Sequence, residues 1–179
     1  MLRGSLRSGC PVGDRPALGG QYGEAMLRVV IDNCAVDPLI DRPGAYEAVR
    51  GAIDAGNLEI LYTHVTIEEA SRHPDPVRRR QKLQALTTLG KPVPTGAFVL
   101  GISELGQARL TGDAGAASVE VLRSKNAAKH SVDALVAATA GVEGCALLTE
   151  DRRLRNRATD EGIKVLNCQE LFAELGLEI

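Results

Sequence analysis

Short apolar runs alternate along this chain with stretches of helical spacing, and that alternation restricts the fold more than any other feature. LRVVI (Leu27–Ile31), LEILY (Leu58–Tyr62) and CALLT (Cys145–Thr149) are too short for buried helices and lack the regular polar alternation of a half-wet strand. Ile163–Leu166 is a fourth, shorter run. Between and after them lie helical patterns. In Gly44–Ala55 the apolar residues Ala45, Ala48, Val49, Ala52 and Ile53 share one face, and Gly56 follows as a stop. Val65–Arg72 starts a helix that Pro74 and Pro76 break, and Val77–Leu89 resumes as a helix. Helices are also expected over Ala114–Arg123, over Val132–Ala140 (capped by Ser131 and ended by Gly141), over Arg152–Glu161 and over Gln169–Leu175. The Gly- and Pro-rich stretch Lys91–Gly112 reads as a loop with the start of a further helix. Strands alternating with helices predict a three-layer α/β/α fold with a mostly parallel central sheet.

A length of 179 residues suits one domain with a real core. Residues 1–25 differ from the rest, being rich in Gly, Arg, Ser and Pro without a continuous apolar segment. They read as a disordered tail and not as a secretory signal, which leaves residues 26–179 as the folded domain. No run is long enough to span a bilayer. The four cysteines, Cys10, Cys34, Cys145 and Cys168, are dispersed and have no spacing that suits zinc, so a reduced, cytoplasmic protein is expected. A net charge of −2 gives no general basic footprint for nucleic acid.

Ligands of a parallel α/β sheet gather beyond the carboxyl ends of its strands. Asp32 ends LRVVI there, and Asp151 lies two residues beyond CALLT. Asp133 falls in the first turn of the helix after Ser131, and Glu69 lies on the helix after the second strand. Each acid also has an ordinary reading. Asp32-Asn33 suits a turn, Asp133 complements a helix N-terminus, Asp151 is a good N-cap, and one of Glu68 and Glu69 is a solvated surface acid. Arg78, Arg79, Arg80 and Lys82, like Arg152, Arg153, Arg155 and Arg157, suit either an RNA backbone or a solvated helix face.

The set VVIDN, THVTIEEA, HSVDALVAATA and LLTEDRRL resembles the PIN-domain family of nucleases, closest to the small prokaryotic toxin-type ribonucleases of toxin–antitoxin pairs. The matching motifs run from Leu27 to about Phe172. The resemblance implies a PIN-like fold with Asp32, Glu69, Asp133 and Asp151 as metal-binding and catalytic residues. Thr149 falls where such proteins often carry a hydroxyl. The chain departs from the pattern after the first acid, where Asn33 and Cys34 replace the usual Thr or Ser followed by Asn.

Hard cations such as Mg²⁺ or Mn²⁺ prefer carboxylate oxygens, and grouped carboxylates repel one another until a cation neutralises them. That chemistry suits metal-dependent phosphodiester hydrolysis, and the resemblance implies a Mg²⁺-dependent (or Mn²⁺-dependent) endoribonuclease with RNA, an antitoxin and a homodimeric copy as expected partners. The alternative is a non-catalytic PIN-like module that binds RNA or protein. A phosphatase or phosphotransferase fits poorly, because Asp32-Asn33-Cys34 lacks the Asp-x-Asp pattern and neither a P-loop nor a G-x-G-x-x-G motif occurs.

Overall fold

The computed structural model describes residues 26–99, 106–108 and 131–179. The expected tail over 1–25, the expected helix over Ala114–Arg123 and the side chain of Ser131 lie outside them. Strand β1 (Leu27–Ile31) leads through a 3₁₀ turn (Asn33–Ala35) into α1 (Val36–Asp41) and α2 (Ala45–Asp54). There follow β2 (Leu58–Tyr62), α3 (His64–Ser71), α4 (Pro76–Leu89) and β3 (Gly90–Pro92). The C-terminal part comprises α5 (Ser131–Glu143), β4 (Ala146–Leu148), α6 (Arg152–Asp160), β5 (Val165–Leu166) and α7 (Cys168–Glu174).

The five strands form one sheet in the order β3-β2-β1-β4-β5, and every pairing is parallel. Strand β1 sits in the middle, with Val30 opposite Leu61 of β2 on one side and Leu147 of β4 on the other. The chain first builds outward through β2 and β3, then returns to build outward through β4 and β5. The reversal lies between β1 and β4, the switch point where such a sheet opens a crevice at its carboxyl edge.

Side chains alternate across this sheet, as the pleat requires. Val29 and Ile31 enter a core shared with Val36, Leu39, Val49, Leu86 and Leu171, while Val30 enters the opposite core with Leu135, Leu147 and Leu154. The small residues Ala134, Ala137 and Ala138 bring α5 close against the second face. Gly96 packs so tightly on α5 that a Cβ there would stand 2.8 Å from the carbonyl oxygen of Ala138.

Four local expectations change. Pro76 opens α4 behind the Asp75 cap instead of breaking the helix, because the first helical turn has no use for its missing N–H. Helix α5 runs through Gly141 to Glu143, and the stop is Gly144, whose φ of 62° is the left-handed conformation glycine adopts freely. Helix α1 was not expected from the residues after Asp32. Gly90–Pro92, which begins the stretch expected to be a loop, is an edge strand, a position where a proline is tolerated.

Candidate active site

Asp32 follows β1 directly and is 5% exposed, so its carboxylate is held almost wholly by protein. Its Oδ1 accepts the Asn33 backbone N–H at 2.8 Å. Its Oδ2 accepts the Thr149 hydroxyl at 2.8 Å and the Cys34 thiol at 2.9 Å. Thr149 lies just past β4, so these bonds tie together the two strand ends that flank the switch point. The Glu150 N–H donates in turn to Cys34 Sγ at 3.2 Å, and the Asp151 N–H donates to Thr149 Oγ1 at 3.1 Å. Burial raises the Asp32 carboxyl above its ordinary pKa, and the Asp133 charge adds to the rise against the lowering by Cys34 and Thr149.

Glu69 belongs to the same electrostatic group. It is exposed as a residue, yet its carboxyl end is crowded by protein, and desolvation raises its pKa before the charges of Asp32 and Asp133 raise it further. A hydrogen bond with the Asn33 side chain and the charge of Lys82 act in the opposite direction. Glu68 has a different environment, paired with Arg72 one helical turn along. Of the two neighbouring acids, Glu69 is the one on which the Asp32 and Asp133 charges act. Asp133 lies in the first turn of α5 and Asp151 caps α6, its Oδ1 accepting the N–H groups of Arg153 at 2.7 Å and Leu154 at 3.3 Å. The N-cap reading of Asp151 thus holds, and both capping bonds use one oxygen.

Sequence reasoning underrated two residues. Lys82 is 3% exposed, so it does not lie on a solvated face. Its Nζ stands 3.0 Å from Asp37 Oδ2 and 3.3 Å from Asn33 Oδ1, anchoring the turn after Asp32. Cys34, a departure from the family pattern, is a hydrogen-bond donor to Asp32, as a hydroxyl would be. The other basic residues divide. Arg78 binds both Asp37 and Asp41, and Arg155 grips Glu170 with two bonds of 2.9 Å. Arg152 and Arg153 are exposed.

A divalent cation fits this donor set in its chemistry. The donors are oxygens, and the charges of Asp32 and Asp133 raise the Glu69 pKa, a mutual repulsion that a cation would relieve. Among the described residues, however, no three His, Cys, Asp or Glu side chains stand close enough to enclose an ion as they are placed. Asp32 itself is held by three hydrogen bonds, from the Asn33 N–H, the Cys34 thiol and the Thr149 hydroxyl.

No family model and no curated protein matches the sequence. Solved structures match its fold. The crystal structure of PAE2754 from Pyrobaculum aerophilum superposes with a TM-score of 0.52 at 18% identity, over 84% of this chain and 98% of that one. VapBC2 from Rickettsia felis, solved bound to a DNA fragment from their promoter, gives a TM-score of 0.52 at 12% identity, over 79% of this chain and 98% of the other. The fold is PIN-like. Similarity at these identities is similarity of fold, and it agrees with the resemblance carried by VVIDN, DALVAATA and LLTED. Among the described residues, no helix of this PIN-like domain is long and apolar enough to cross a membrane.

Proposed function

We propose that this chain is a Mg²⁺-dependent (or Mn²⁺-dependent) endoribonuclease, a hydrolase acting as the toxin of a toxin–antitoxin pair. The observation that carries the reading is the buried Asp32 carboxylate at the centre of the sheet's carboxyl edge, in the electrostatic field of Asp133 and coupled to Glu69. A nuclease needs fixed negative oxygens at such a crevice to hold its cation. Asp32, Asp133 and Glu69 would hold the ion, with Asp151 contributing through water or through the oxygen not used in capping. When bound, the ion supplies an activated water and neutralises charge on the phosphoryl oxygens.

The chain's own residues set the geometry. Thr149 and Cys34 fix the orientation of Asp32, and Lys82 fixes Asn33 beside it. Glu69, with its raised pKa, would orient the attacking water at its carboxyl end. RNA as substrate, an antitoxin inserted into or bound beside the acidic crevice and a homodimer follow from the resemblance, and a cytoplasmic location follows from the dispersed cysteines. A second reading is a non-catalytic PIN-like module that binds RNA or protein, in keeping with the lack, among the described residues, of three His, Cys, Asp or Glu side chains grouped to hold an ion.

The test is incubation of purified protein with mixed RNA in Mg²⁺ or Mn²⁺, with EDTA and Asp32→Asn as controls. Cleavage that stops in both controls supports the nuclease. Cleavage that survives both would sink the metal–carboxylate mechanism, and binding without cleavage under every condition favours the non-catalytic module.

A further inference from the structure

Helix α3 separates two environments at the carboxyl edge of the sheet. Glu69 belongs to the Asp32 group, whereas His64, Ile67 and Glu68, spaced three and four residues apart on one helical face, line a separate cavity of about 430 Å³. The rest of its wall comprises Tyr62, Pro92, Val93, Pro94, Gly106 and Gln107. That volume lies within the roughly 300–1,000 Å³ of a small-molecule site, although the Asp32 group needs no such hollow. The register places the cavity beside the carboxylates. Val30 pairs with Leu61, so Tyr62 stands level with Ile31, the residue before Asp32, one strand spacing away (about 4.8 Å).

We infer that this cavity is a nucleobase subsite, which takes one unpaired base of an RNA strand whose phosphate lies at the Asp32 group. The inference rests on the ribonuclease reading for its substrate class and on the cavity for its location. An aromatic ring and two prolines offer flat apolar surface against a planar base, as sites for single-stranded RNA commonly do. Glu68, whose Oε1 is paired with Arg72, has its second carboxylate oxygen to accept from the amino groups on the edges of adenine, guanine and cytosine, and the Gln107 side chain carries both donor and acceptor chemistry. His64 adds an independent indication. Among the described residues neither of its buried ring nitrogens has a hydrogen-bond partner, an arrangement proteins seldom leave uncompensated. His64 is itself one of the residues lining the cavity.

The experiment titrates the four ribonucleoside 5′-monophosphates into full-length protein in EDTA, with ribose 5-phosphate as the base-less control, and follows the backbone amides of Tyr62, Glu68 and Gln107 by NMR. Saturable shifts with one or more amino-bearing nucleotides and none with ribose 5-phosphate are expected. Ile67→Trp, which fills the cavity, should weaken that binding about tenfold. Glu68→Gln, an exposed change that leaves the fold intact, should reduce the preference for amino-bearing bases over uridine. Ribose 5-phosphate binding as well as the nucleotides, or no nucleotide binding at all, overturns the subsite. So does unchanged binding in both variants. Asp32→Asn keeps the nuclease question separate: base binding without cleavage by the unmodified protein defeats the nuclease reading alone, and cleavage without base binding defeats the subsite alone.

Discussion

Replacing Lys82 with Met separates a structural lysine from a phosphate-binding one. Lys82 Nζ is 3.0 Å from Asp37 Oδ2, 3.3 Å from Asn33 Oδ1 and 3.5 Å from Asn33 O, and its side chain is 4% exposed. Breaking a fully buried ion pair costs roughly 3–5 kcal/mol, because the remaining charge is stranded. Asp37 is not stranded here: its side chain is 40% exposed, and Arg78 keeps bonds of 3.0 and 2.7 Å to its Oδ1. Methionine also spares the desolvation of a buried ammonium and fills most of the same space.

The net loss should therefore be about 1–2 kcal/mol, or roughly 2–8 °C in Tm for a domain of this size. A second effect reaches the site. Lys82 opposes the rise in the Glu69 pKa and also tethers Asn33, whose side chain bonds Glu69, so the acid limb of any cleavage profile should move to higher pH. Thermal unfolding by circular dichroism, a pH–rate profile and RNA binding in EDTA together decide the matter. A Tm within about 1 °C of the parent, accompanied by weaker RNA binding, would refute the structural assignment and place Lys82 on a phosphate.

The other predictions concern the same edge of the sheet. Thr149→Val removes the 2.8 Å donor to Asp32, and cleavage should fall roughly 10–100-fold in initial-rate assays, the scale for losing the partner of a metal ligand. Cys34→Ser, which keeps a donor there, should retain most of the activity. The folded-state pKa values of Asp32 and Glu69 are raised, so the folded protein binds protons more tightly than the unfolded chain. The metal-free stability they contribute is present at low pH and lost as pH rises through those values, so Asp32→Asn should raise the Tm in EDTA near neutral pH while lowering it little at acid pH. The Cys34 thiol is pushed up to about 12 by burial and by Asp32, so iodoacetamide at pH 8 should leave it unlabelled in the native protein, as read by peptide mass spectrometry. Gly96→Ala should destabilise by about 1–3 kcal/mol in denaturant titrations, because its methyl would press on the Ala138 carbonyl and on the Thr139 Cα at 3.0 Å.

Local pattern determined much of this protein. The strands β1, β2, β4 and β5 and most of the helices were legible because apolar runs and helical periodicity are properties of neighbouring residues. The places of Asp32 and Asp133 in the fold were legible for the same reason, being fixed by the strand end and the helix start beside them. Where a local sign had two meanings, packing chose between them. Pro76 reads equally as a breaker or as a first helical residue, and Gly141 as a stop or as a tolerated glycine, until tertiary contacts stabilise the helix around each.

Distant neighbours settled the remainder. Nothing within Glu68-Glu69 distinguishes the two carboxylates. One helical step turns Glu69 toward charges carried by Asp32, just past β1, and by α5, and Glu68 toward a cavity walled by the segment after β3. Lys82 lies among arginines of the same charge in sequence, and only the packing of α4 against the turn after Asp32 removes it from water. The bond from Thr149 to Asp32 exists because β4 returned to lie against β1, whereas the Cys34 bond to the same oxygen is made within the turn after β1. Sequence placed Asp32 and Asp133 at the ends of their elements, whereas the tertiary fold decided which acids feel one another's charge, because charge and desolvation act through space and not along the chain.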